Sequence, residues 1–202
     1  MSEYYSTIIA SSEGVYKEKG SKFIAYAFPA SSVQESLASI SEVKQQHPTA
    51  RHHCWAYRLG YNGTEYRVND DGEPSNSAGK PILGQLESFN VTCVCLVVVR
   101  YFGGTLLGVG GLMQAYKEAS KHALEQAIIK DVPIPVYVTI TSDFVGLPLV
   151  MNTVSKEHCS IQKETYTSKC VLECKLTKMV LTDLQSIANM NGNIVIEQHE
   201  QI

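Results

Sequence analysis

No CxxC pair occurs in this chain, no unbroken apolar run approaches the ~18 residues of a membrane span, and no excess of basic residues marks either half. Each absence excludes something. The missing CxxC spacing, with Cys54, Cys93, Cys95, Cys159, Cys170 and Cys174 set mostly among apolar or β-branched neighbours, argues against a disulfide framework and predicts reduced, buried thiols. The missing apolar run predicts a soluble protein that does not enter a membrane. The N-terminus, MSEYYSTIIASSEG, has no basic segment ahead of a long apolar core, so a secretory signal is not expected and a cytoplasmic location is. Net charge is −3. Divided at Val132, the chain carries 12 basic and 13 acidic residues before and 5 and 7 after, so there is no DNA-specific signal and any RNA contact must come from a local patch.

What the chain does contain is ordinary globular material, 44% hydrophobic and 18% charged over 202 residues. "KDVPIPVY", Lys130 to Tyr137, follows a helix-like stretch, and its prolines favour an extended link. Two domains are expected on either side, residues 1–132 and 136–202. In the first, residues 13–29 read as two strands around Lys19-Gly20, and Ser32 to Gln46 as an amphipathic helix. Residues 51–59 and 64–69 read as a hairpin turning at Asn62-Gly63. Val91 to Val99 is nearly unbroken apolar sequence, the mark of a central strand buried on both faces. Leu112, Ala115, Tyr116, Ala119 and Ala123 recur at helical spacing. After the link the order is strand 136–142, helix 146–158, strands 161–168 and 170–177, helix 180–191 and strand 193–199. That is the βαββαβ pattern of a ferredoxin-like domain. The chain is α+β in two parts.

Three motifs invite chemistry. "RYFGGTLLGVGGL", Arg100 to Leu112, leaves a buried strand and enters a helix, where phosphate loops occur. A Walker loop begun at Gly103 meets Val109 where lysine is required, and a dinucleotide fingerprint begun at Gly108 meets Met113 where glycine is required. The glycines therefore serve either a general anion site or tight packing. "DDGEPSNSAGKP", Asp70 to Pro81, breaks both helix and central strand with its glycines and prolines. Aligned as a calcium loop on Gly72 it puts Arg67 and Ala78 where carboxylates are required, so calcium of that type is excluded. Its acids can act as a general acid–base pair, accept backbone amides in the turn, or pair with Arg100. In "RHHCWAY", His52 and Cys54 share one strand face and His53, Trp55 and Tyr57 the other. Zinc lacks further ligands at suitable spacing, and nothing marks Cys54 as an exposed, electropositive nucleophile. The lysines of the second domain, Lys156, Lys163, Lys169, Lys175 and Lys178, are scattered and read as a solvated face.

Taken together, "KGSKFIAYAFPA", "ARHHCWAYRLG", "DDGEPSNSAGKPIL" and "VVVRYFGGTLLGVGGLMQAY" resemble the YigZ/IMPACT family, in family order from Lys19 to Tyr116. The segment after Val136 resembles, more weakly, the smaller domain of the bacterial branch. The resemblance implies an N-terminal domain like the second domain of ribosomal protein S-five and a ferredoxin-like C-terminal domain. It also implies a link to translation, since eukaryotic members oppose activation of the kinase of initiation factor two. The implied partners are the ribosome, an RNA or a translation factor. Candidate binding residues are His53, Asp70, Asp71, Glu73, Arg100, Tyr101, Gly103, Gly104, Gly108, Gly110 and Gly111. No catalytic residue, metal or cofactor is assigned. The alternatives are a small-molecule hydrolase or other enzyme using His53, Asp70, Asp71 and Glu73, and a pure protein-interaction module. Two departures from the family pattern stand out: Asn76-Ser77 where many members have Gly-Thr, and Gln114 where many have a basic residue. Asparagine is the best substitute for a glycine at positive φ.

Overall fold

A computed structural model describes residues 3–155 and 159–199. The chain divides into two compact units, one formed by Tyr4–Val132 and the other by the chain from Pro133 onward together with Glu3.

The first unit is built on a five-stranded sheet. Its elements run β1 (Tyr4–Ile8), β2 (Ser12–Glu18), β3 (Ser21–Pro29), α1 (Val33–Gln46), β4 (His52–Leu59), β5 (Glu65–Asn69), α2 (Gly79–Ser88), β6 (Val94–Tyr101), α3 (Gly108–Gln126) and β7 (Ile129–Pro133). The sheet order is β2-β3-β6-β4-β5, every described pair antiparallel, while β1 and β7 form a separate two-stranded ribbon. The central strand β6 is apolar on both faces because both are covered. Val94, Leu96 and Val98 pack with Phe23, Cys54, Ala115 and Tyr116 under α2 and α3. Cys95, Val97 and Val99 pack with Trp55, Tyr57, Ile40 and Val43 under α1. The start of α1 is set locally: Ser32 Oγ accepts the Glu35 amide at 3.2 Å, and Glu35 Oε2 accepts the Ser31 amide at 2.7 Å.

Three expectations change in detail. The central strand begins at Val94 rather than Val91 and runs on to Tyr101. Cys93 has φ +56°, and its carbonyl is taken by the Ala30 amide, so Val91 to Cys93 form a buried bend ahead of the ladder. The β4–β5 connection has five residues, 60–64, rather than the four expected, and is closed by Gly63 N–H to Gly60 C=O, because the Arg58 side chain fills its inside and donates to Gly63 C=O at 3.1 Å. The third concerns Asp70–Pro81. Its last residues, Gly79 to Pro81, open the helix α2. A proline in a first turn removes only an N–H that has no intrahelical partner.

The second unit holds β8 (Val136–Ser142), α4 (Leu147–Val154), β9 (Cys159–Tyr166), β10 (Cys170–Leu176), α5 (Lys178–Met190) and β11 (Ile194–His199). The antiparallel sheet has order β11-β8-β10-β9, the ferredoxin-like arrangement, and its core joins Val138, Ile140, Val150, Leu172 and Leu184. Thr177 caps α5, which starts at Lys178 rather than residue 180. The expected end of the preceding helix, residues 156–158 with Lys156, lies outside the described residues.

Candidate functional site

Arg100 stands near the end of β6, opposite Phe23 of β3 and His52 of β4, on the face covered by α2 and α3. It is 7% exposed. Its Nη1 donates to Glu73 Oε1 at 2.7 Å, and the guanidinium lies 5.6 Å from the ring centres of both Phe23 and Phe102. The same carboxylate oxygen accepts the Tyr116 hydroxyl at 2.9 Å, and the Cys54 thiol lies within 3.3 Å of that hydroxyl. Arg100, Glu73, Tyr116 and Cys54 thus form one buried relay running from sheet to helix. Burial pushes both the Cys54 thiol and the Tyr116 phenol well above their ordinary values, so both remain protonated donors. Among the described residues Arg100 Nε has no hydrogen-bond partner.

The acids of the Asp70–Glu73 turn have separate duties. Asp70 Oδ1 accepts the amides of Ala78 and Gly79 at 3.0 and 2.8 Å, and Oδ2 accepts that of Asn76 at 2.8 Å. Its carboxylate therefore caps α2 from outside the helix, where Ala78 offers no side-chain cap. Asp71, with φ +41°, turns the other way: its Oδ2 accepts the His53 amide at 2.7 Å, and its carbonyl accepts His52 Nδ1–H at 2.8 Å. His53 is buried and donates from Nε2 to the His47 carbonyl at 3.1 Å. Tyr101 faces α1, where His47 is held between its hydroxyl and that of Tyr26, each at 2.8 Å.

The candidate residues therefore do not converge on one point. Arg100 and Glu73 meet on the α2/α3 face; His53, Asp71 and Tyr101 lie toward α1; Asp70 is spent on backbone amides. Among the described residues no group of three or more histidines, cysteines or acids is placed to hold a metal ion. The glycines divide too. Gly103 crosses Gly20 so closely that a Cβ would sit 1.9 Å from the Gly20 carbonyl carbon, whereas Gly104 and Gly108 hold positive φ. Gly110 and Gly111 lie in the first turn of α3, and a Cβ on Gly110 would meet nothing.

Tyr116 and Cys54 belong to the buried relay although neither stood among the candidate residues. Their signal was present only as core spacing in α3 and as a thiol on the His52 face of β4. His47 directly follows the stretch read as the first helix, Ser32 to Gln46.

Residues 19–124, just over half the chain, match the family model of the Impact N-terminal domain. The chain belongs to this family. A relative from Bacillus subtilis, IMPACT family member YvyE, is 32% identical over 170 residues, covering 84% of this chain and 78% of that protein. IMPACT family member YigZ of Escherichia coli is 43% identical over 110 residues, 54% of each chain. An IMPACT family member of Haemophilus influenzae is 40% identical over 129 residues, 61% of its length, so these last two matches span less than two thirds of each relative. A crystal structure described as that of a hypothetical protein superposes over 100% of both chains with TM-score 0.84 at 29% identity. Within this Impact family chain both departures have a place. Asn76 takes φ +62°, the conformation a glycine would otherwise supply. Gln114, in place of a basic residue, donates to Glu118 at 2.7 Å on the exposed side of α3.

Proposed function

We propose that the N-terminal unit is a binding module linked to translation, contacting the ribosome, an RNA or a translation factor in the cytoplasm without catalysing a reaction. The link to translation comes from the Impact family resemblance. The observation that carries the binding reading is the contrast along Arg100 to Met113: Arg100 is buried against Glu73, while several apolar side chains of the stretch face outward. Phe102 is 52% exposed and Leu106 84%, with Val109 and Met113 exposed beside them. Clustered exposed apolar side chains mark interaction surfaces. The hydrolase alternative requires His53, Asp70, Asp71 and Glu73 to converge on a substrate, and their separate duties in the turn give it no support.

The test is sedimentation of the full chain with ribosomes and ribosome-bound factors at low and high salt. The expected result is co-migration that weakens with salt, but less steeply than for a basic RNA-binding domain, each phosphate contact contributing a log–log slope of about −0.7 for single strands. A protein that stays at the top of the gradient at every salt concentration would contradict the reading.

A further inference from the structure

Between α2 and α3 lies a groove of about 770 Å³. Four features set it apart from an ordinary helix–helix seam. Gly84 on α2 and Gly110 on α3 line it, and a Cβ at either position would meet no atom within 4 Å. Neither glycine holds a positive φ, so neither packing nor backbone geometry demands it. A glycine in a helix costs roughly 0.5–1 kcal/mol relative to alanine. Gln85, 6% exposed, lines the groove. Lys80 and Lys117 flank it without an ion pair among the described residues, and no carboxylate lines it. The remaining lining joins Pro81, Val109 and Met113 to Ser75, Asn76 and Gln114, with no aromatic ring on which a base could stack.

We propose that this groove docks an acidic amphipathic helix of a partner protein, a proposal resting on the reading of the N-terminal unit as a binding module. The apolar wall and two glycine notches accept the small and branched side chains of the helix's apolar face, the mode by which helices fill grooves. The two unpaired lysines complement carboxylates flanking that face, in a chain whose net charge is −3. Gln85 offers its side-chain amide to the docked helix.

The test uses the full chain and two synthetic labelled peptides of about 18 residues, five helical turns. Both carry the same leucine and alanine stripe, one flanked by glutamates and the other by lysines, and binding is read by fluorescence anisotropy beside a labelled oligouridylate. The acidic peptide is expected to bind about ten-fold or more tightly than the basic one, and the Lys80→Glu/Lys117→Glu double variant to reverse that order. Gly84→Leu, which fills the notch from open space, is expected to weaken the acidic peptide about ten-fold without lowering the thermal midpoint. Equal binding of the two peptides, an order unchanged by charge reversal, or oligouridylate binding that Gly84→Leu abolishes would each overturn the proposal. Ribosome co-sedimentation that persists without peptide selectivity would remove the groove and leave the binding-module reading standing.

Discussion

At the scale of single residues, one carboxylate organises the signature turn. Asp70 takes three backbone amides that would otherwise have no acceptor at the start of α2. A hydrogen bond to a charged group contributes roughly 1.5–3 kcal/mol, so Asp70→Ala should lower the unfolding free energy by at least about 2 kcal/mol, measured by urea denaturation. His47 provides a second test. Burial, and then the neighbouring His53, hold its imidazole below its ordinary value. As pH falls through about 6.5, the unfolded chain binds protons that the folded ring resists. The contribution of the neutral ring is therefore intact above about pH 6.5 and is lost on acidification. The urea midpoint of the wild type should drop between about pH 7 and pH 5 by more than that of His47→Gln. Parallel curves for the two proteins would show that the ring between Tyr26 and Tyr101 does not titrate this way.

Elements with their own periodic signal were the most readable in the sequence. The helical recurrence of Leu112, Ala115, Tyr116, Ala119 and Ala123 became the buried face of α3, and the apolar run around Val94 to Val99 became the central strand. Helix α2 was hidden for a physical reason: Gly79, Pro81 and Gly84 mask its pattern, and its cap comes from Asp70, nine residues before the first helical glycine. The edge ribbon β1–β7 is short and pairs residues more than a hundred positions apart, which no local pattern reveals. Close packing of elements leaves its own test. A Cβ on Gly14 of β2 would lie 2.2 Å from the Ala123 nitrogen of α3, so strand and helix touch backbone to backbone. Gly14→Ala should destabilise the unit by about 1–3 kcal/mol through overpacking, read as a lower thermal midpoint. Gly110→Ala, facing open space, should be neutral or stabilising by up to about 1 kcal/mol.

At the scale of the whole molecule, the βαββαβ order of the second unit was legible because each strand and helix there is short, regular and bounded by turn residues. The candidate site was only half legible. A guanidinium leaving an apolar strand needs a carboxylate, which pointed to Asp70, Asp71 or Glu73. The choice of Glu73 depends on the positive φ of Asp71 and Gly72, which swings the two aspartates away to other partners. Beneath the proposed binding surface, the buried Arg100–Glu73–Tyr116 relay acts as the scaffold. Trp55, the single tryptophan, is buried in the first unit and reports its unfolding alone. The decisive measurement is urea unfolding of full-length Arg100→Ala, followed by Trp55 fluorescence and by circular dichroism. The scaffold predicts a loss of about 3 kcal/mol in the Trp55 transition, because Glu73 is left buried and uncompensated, with the transition of the second unit unmoved. A Trp55 transition that coincides with the wild type would contradict it.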